Sequence, residues 1–397
     1  MRTKWIPVAC AALALALFAP AASQAATFTV NTTADTSVAG GCTTEAACSL
    51  RDALTAANAS GDPEDVVVVP AGVYLVEKGE LTAGGGEALA IRGAGARSTV
   101  IDAQGKSRVF NVAGGKVTIE GVTVTGGNAP EGLGGEVPGD GGGILAFEAE
   151  ELILNAVNVV GNTAAKNGAG VSAPPEGSSR PAVTINASTI ANNKVTGGTV
   201  QGFGGGIYVL GDFSLTNSTV AGNSAESTIG TVQGGGVLVA LDPTDTEPSK
   251  VNIVNSTIAG NSVGAGGVGG GLAVYNPTPG VVTTLTVTNT IVANNTGPAG
   301  PSDCGPVTVV STNNLSSDSS CLFVDAGSKQ GVNQLLGPLQ NNGGPTDTMA
   351  LLEGSPAIDA AHDEACPEID QRGVDRPQRE HCDMGAYEAD APKEEEP

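Results

Sequence analysis

From about Gly141 to Asn295 the chain repeats one pattern of apolar and polar positions five times. Its clearest copy is GGGIYVLGDFSLTNSTVAGN, Gly204 to Asn223. The other copies open at Gly141, Gly168, Gly234 and Gly269, and the five close on Asn162, Asn193, Asn223, Asn261 and Asn295. A spacing of roughly 30–38 residues signals a repeat architecture. In the third copy three short β-type runs, Ile207–Val209, Phe213–Thr216 and Thr219–Ala221, are set between Gly and Asn turns. Alternation puts Phe213 and Leu215 on one face, Ser214 and Thr216 on the other. Gly and Asn tolerate the positive φ such turns need. No run has helical length or period.

Three short strands cannot bury a face alone. Stacked on neighbours of the same kind, they form three parallel sheets around one apolar core. The pattern predicts an all-β fold, a right-handed parallel β-helix. Asn217 and Asn255, with Asn186 and Asn289 at the same place in their units, are expected about 4.8 Å apart up the stack. There their amides would bond as a ladder, and turn or ladder geometry also accounts for the NxS/T triplets at Asn186, Asn217 and Asn255. Loops Ala164–Asn167, Ala225–Gln233 and Val263–Val268 vary in length, as insertions on one face of a solenoid do.

Outside the repeats the pattern changes. Thr27–Val30 reads as a short strand, and Ser49 suits a helix N-cap with Asp52 three residues on. Leu50, Ala53, Leu54 and Ala57 then share one helical face, fit to close the first rung, with Arg51 and Asp52 expected as a solvated local ion pair. Two less regular rungs fill Leu89–Asn128, and Val307–Asn314 reads as a last one, clipped by Cys304 and Cys321.

Composition changes the picture in three ways. Among 397 residues there are 58 glycines and 3% aromatics, which suits a thin solenoid core of small aliphatics once collagen periodicity is excluded. Met1–Ala25 reads as a secretory leader, with Arg2 and Lys4, the apolar Ala9–Phe18 and the small-residue site Ser23-Gln24-Ala25. Too little apolar chain precedes Cys10 for a lipoprotein, and no later run approaches membrane-spanning length. Losing Arg2 and Lys4 takes the net charge from −23 to −25, which disfavours nucleic acid and anionic membrane surfaces as partners by repulsion. Six cysteines then remain in three sequence-local pairs, Cys42/Cys48, Cys304/Cys321 and Cys366/Cys382. An even count in an exported chain predicts disulfides.

Several stretches resemble known families. CSLRDALTAAN, Cys48 to Asn58, is similar to the N-terminal motif of CSLREA domains on exported bacterial β-helix proteins, with Asp52 where that motif has Glu. VVVVPAGVYLV, Val66 to Val76, resembles the entry strand of pectate-lyase-like β-helices, and Gly141–Asn295 resembles the repeats of polymorphic outer membrane proteins. Leu336–Glu388 resembles the closing domain called choice-of-anchor Q, through Asn342-Gly343-Gly344-Pro345, Gly354–Asp359, Asp370-Gln371-Arg372-Gly373, Arg376-Pro377 and Asp383–Glu388. ADAPKEEEP after Glu388 departs from the surface-attachment signals that follow that domain. Together these divide the chain into a leader (1–25), a CSLREA-type cap (26–65), solenoid repeats (66–325), a disulfide-stapled closing cap (326–388) and an acidic tail (389–397).

Chemistry is sparse. A lyase needs clustered carboxylates for calcium and a basic residue to take a proton, and a hydrolase needs a carboxylate pair at fixed separation. The repeat strands are almost free of charge, and Lys116, Lys166, Arg180, Lys194 and Lys250 are scattered. Asp370, Arg372, Arg376, His381, Asp383 and Glu388 form the one dense polar constellation, expected to pair internally and lock the cap. No catalytic, cofactor or metal residue is assigned. Calcium has only the acidic loops, Glu131, Glu136 and Asp140 or Asp242, Asp245 and Glu247, which lack fixed ligand spacing and read as solvated. The sequence favours an exported or cell-surface binding protein, such as an adhesin, whose partner is an extracellular carbohydrate or protein surface. A carbohydrate-active enzyme is the alternative, and a structural spacer the third reading.

Overall fold

The computed structural model describes residues 25–38, 40–42, 47–86, 88–132, 137–175, 180–199, 201–227, 229–240, 249–275, 284–305 and 309–391. It is a parallel β-helix. Residues 1–24 of the expected leader, Glu136 and the acidic residues Asp242, Asp245 and Glu247 lie outside the described residues.

Each full rung contributes one strand to each of several stacked sheets. In the third copy these are Ile207–Leu210, Phe213–Thr216, Thr219–Ala221 and Ser224–Ala225. The second joins a sheet of ten strands, the third one of nine, and the first and last one of seven each. The solenoid strands pair in parallel, except for Gly300–Pro301, which turns back antiparallel on Thr296–Gly297. A fourth strand per rung was not expected. It is two residues long, too short for alternation to register.

Alternation sets the core. In Ala182–Asn186, Val183 and Ile185 are buried while Thr184 points out. Stacked inward residues give one continuous apolar column from Val30 to Phe323. Phe110 and Phe213 are its largest fully buried side chains.

The glycine triplet and the closing asparagine depend on each other. The first glycine of each triplet takes positive φ, as at Gly204 (62°) and Gly234 (67°). The third faces the closing asparagine of its own rung. A Cβ on Gly206 would lie 2.9 Å from Cγ of Asn223, and one on Gly236 2.9 Å from Nδ2 of Asn261. The closing asparagines form the buried ladder. Nδ2 of Asn162, Asn193, Asn223 and Asn261 each donates at 2.9 Å to Oδ1 of the next, and Asn295 ends the run on Asp303 at 3.0 Å.

The ladder expected at Asn186, Asn217, Asn255 and Asn289 is therefore corrected. Asn186 pairs in register with Thr216, so it sits one position before the other three. The corner itself holds Ala156, Ala187, Asn217, Asn255 and Asn289, all at φ between 42° and 52°. Along it only Asn289 reaches its neighbour, donating to Asn255 Oδ1 at 3.1 Å. Asn186 bonds Asn155 at 3.0 Å on the outer face of the ten-stranded sheet. The next residue, Ser188, Ser218 or Ser256, turns inward and accepts from the backbone N–H of the preceding rung, for example Ser188 N–H to Ser218 Oγ at 3.1 Å. The Asn-Ser-Thr phrase is thus corner, inner ladder and outward residue in turn.

The helix Leu50–Asn58 covers the first rung, with Leu50, Ala53, Leu54 and Ala57 buried and a capping box between Ser49 and Asp52. Asp52 is not solvated: the loop before the helix folds over it, and it accepts from Thr36 Oγ1 (2.6 Å) and Val38 N–H (2.7 Å). Arg51 pairs instead with Asp35 at 2.7 Å and bonds the carbonyls of Gly79 and Glu80. Cys42–Cys48, Cys304–Cys321 and Cys366–Cys382 are all disulfides.

At the far end Cys304, Cys321 and Phe323 join the solenoid core and close it. The segment after them does not sit on that end. It runs back along the outside of the nine-stranded sheet as a strap. Contacts pass from Asn313 to Ala360, Asn289 to His362, Asn255 to Asp383, Asn217 to Ile369, and Ala187 to Thr346, and end with Arg97 on Asp347. Ile291, Leu315, Leu351, Ala357 and Met384 make a second apolar core beneath it.

Candidate functional site

The strap divides the surface. Strands Thr189–Ala191, Thr219–Ala221 and Thr257–Ala259 are buried on both faces where it lies on them, whereas Thr123–Thr125 and Asn158–Val160 alternate. In the seven-stranded sheet Ile144–Ala146, Val171–Ala173 and Val237–Ala240 are buried throughout. The ten-stranded sheet keeps its alternation from Glu64–Val69 to Lys250–Val254 except at Ala88–Gly93, so its outer face is open beyond that strand.

Register fixes what that face shows. Its central column runs through Thr184, Ser214, Asn252 and Thr286. A second column runs through Asn155, Asn186, Thr216, Val254, Thr288 and Thr312, polar at every step but Val254. Successive rungs lie about 4.8 Å apart, so hydroxyls and amides repeat as a lattice. Lys116 pairs with Glu150 and Glu151 (3.7 and 3.8 Å) and Arg92 with Glu120 (3.9 Å), while Glu64 and Lys250 stand exposed at the first positions of their strands. The central column beyond Thr118 carries no charge.

A second feature is an open cleft of about 570 Å³ between strap and last rungs, lined by Asn313, Lys329, Asp359, His362, Asp363 and His381. Asp363 Oδ2 lies 2.7 Å from His381 Nδ1, and that hydrogen bond holds the imidazole pKa above its usual value. His362 Nδ1 is buried without a partner, and Lys329 Nζ donates to Pro356 O at 2.6 Å. The cleft thus holds an imidazole–carboxylate pair able to move a proton. Asp363, Cys366 and Cys382 are the one trio of metal-ligand type among the described residues, and the disulfide consumes both thiols.

The polar constellation is assembled, but it faces inward. Arg376 and Glu388 pair at 2.8 Å with both side chains fully buried. Arg376 also donates to the carbonyls of Asp383 (3.0 Å) and Gly385 (2.8 Å), and burial lowers its pKa. Arg372 pairs with Asp370 at 2.8 Å, lies 3.6 Å over the Tyr387 ring and donates to Glu388 O. Asp383 accepts from Asp359 N–H (2.7 Å) and Ala389 N–H (2.6 Å); burial nevertheless pushes its carboxyl up to about 6. His381 stands apart in the cleft. Glu131 accepts from Thr199 rather than lying free.

Sequence reasoning passed over Gln371 except as part of a motif. It is buried, accepts from Thr219 Oγ1 at 2.6 Å, and donates to Thr189 Oγ1, Thr346 Oγ1 and the Ser188 carbonyl at 3.0, 2.9 and 3.2 Å. It is the peg between strap and sheet. No family model, curated protein or solved structure matches the chain.

Proposed function

We propose that the chain is an exported, non-enzymatic β-helix protein whose ten-stranded face binds a neutral extracellular polymer, a polysaccharide before a protein. The observation that carries this reading is the open face itself, a ten-stranded sheet whose central column presents Thr, Ser and Asn without charge, while the strap lies over the later rungs of the nine-stranded sheet. Three disulfides support export to an oxidising compartment. No described helix is long and apolar enough to cross a membrane. The resemblances to CSLREA and choice-of-anchor Q segments point the same way.

The test is co-sedimentation of the mature chain with a panel of insoluble polysaccharides. Replacing Thr184, Ser214 and Thr286 together by Lys should abolish binding without lowering the unfolding midpoint. Binding untouched by those changes would reject the face.

A second reading, a carbohydrate-active enzyme, rests on the His381–Asp363 pair in its cleft. Release of reducing ends or unsaturated products that His381→Ala removes would favour it.

A further inference from the structure

The first turns of the solenoid enclose a cavity of about 300 Å³ between the C-terminus of the helix Leu50–Asn58 and the turn Gly84–Gly86. Ser60, Asp62 and Asp65 line it. Asp65 is only 4% exposed; its Oδ2 accepts from Ser60 Oγ at 2.6 Å, and its Oδ1 is buried with no partner. A buried carboxylate oxygen without a donor costs free energy unless something in the cavity answers it.

Among the described residues, none that lines the cavity carries a positive charge. The helix has no basic residue in its last turn. That helix end carries the negative pole of its dipole. A water could satisfy the hydrogen bond of Oδ1 but would leave the charge unbalanced. The glycine wall keeps the space open: Gly86 has nothing within 4 Å of where its Cβ would be, while a Cβ on Gly85 would lie 3.6 Å from the Asn58 carbonyl oxygen. The donors at hand are carboxylate, hydroxyl and carbonyl oxygens.

The geometry points to a divalent-cation site here, with Asp65 as the buried ligand, Asp62 at the mouth, and calcium as the ion. Hard oxygen donors in an irregular arrangement suit calcium, which tolerates six to eight ligands, better than magnesium, which demands a near-ideal octahedron. At about 30 Å³ for each water the cavity has room for the ion and several of its waters. The bound ion would tie the end of the capping helix to the first solenoid strands. The inference is independent of what the ten-stranded face binds.

The experiment uses the mature chain stripped with EDTA and titrated calorimetrically with calcium chloride, with magnesium chloride as comparison. One calcium per chain is expected, with Kd about 0.1–1 mM, as in other extracellular modules. Saturating calcium should raise the unfolding temperature by a few degrees, and magnesium should bind at least tenfold more weakly. Asp65→Asn keeps the shape and should remove both heat and shift. Should Asp65→Asn fail to fold, Asp62→Asn at the mouth should still weaken calcium about tenfold. No heat and no shift at 10 mM calcium, or calcium binding unchanged in both variants, would overturn the site.

Discussion

Asn223→Leu tests the closing-asparagine ladder. The wild-type side chain is 1% exposed. It donates at 2.9 Å to Ile190 O and to Asn261 Oδ1, and its own Oδ1 accepts from the N–H (3.0 Å) and the Nδ2 (2.9 Å) of Asn193. Leucine has the same branching, so the shape survives while all four bonds go. The Asn193 backbone N–H and one hydrogen of its amide are then stranded in a dry interior. At about 1–3 kcal/mol for each of the two stranded groups, less what leucine gains in apolar contact, the loss is roughly 1–5 kcal/mol. Asn186→Leu is the control: that residue is half-buried on the open face and loses a single bond to Asn155, which predicts about 1 kcal/mol or less. Urea titration of the protein with its disulfides intact measures both. Asn193→Leu with Asn223→Leu should cost less than the sum of the single changes, because each single change strands the other's partner. Equal midpoints for Asn186→Leu and Asn223→Leu, or strict additivity in the pair, would refute the ladder.

Burial pushes Asp140 up to about 6, against the pull of Lys166, Asn167 and Arg108. Its folded pKa exceeds the unfolded value of about 3.9, so its stabilisation is complete below about pH 4 and is lost as pH rises through about 6, roughly 3 kcal/mol in all. Asp140→Asn should therefore raise the urea midpoint at pH 8 and leave it unchanged at pH 4, with Asp303 and Asp383, also raised by burial, contributing to the remaining slope; a lower midpoint at pH 8 would contradict this. Arg376→Ala leaves Glu388 buried and unpaired, a change that costs about 3–5 kcal/mol, so limited proteolysis should cut within residues 369–391 while the solenoid core persists. Proteolytic resistance equal to wild type would show that the pair does not hold the strap.

What the sequence revealed and what it hid divide along physical lines. Alternation in Phe213–Thr216, the capping box at Ser49 and the three cysteine pairs are local signals, and the structure carries each of them. The fourth strand escaped because Ser224–Ala225 is too short to alternate. The ladder was misplaced because asparagine serves two ends: at Asn217 it tolerates a left-handed corner, and at Asn223 it bridges rungs, and composition cannot tell these apart. The strap was read as an end cap because many of its partners lie more than a hundred residues away, as with Gln371 on Thr189, and no local period records that. The open face could be described beforehand only as a condition. Which long sheet stays bare depends on where the strap lies.

The strap has one more consequence. An array whose units touch only their neighbours can fray one unit at a time from either end. Here Arg97 in an early rung is bonded to Gly344 and Asp347, across 247 and 250 residues of chain. Gln371 and Arg376 add fastenings at the rungs of Thr189 and Asn217. Closing loops of that length is slow, since the chain must lose its freedom before the contacts form. Once closed, they oblige distant rungs to open together. The solenoid becomes a tied bundle rather than a stack, and its resistance to unfolding depends on the strap that follows its last rung.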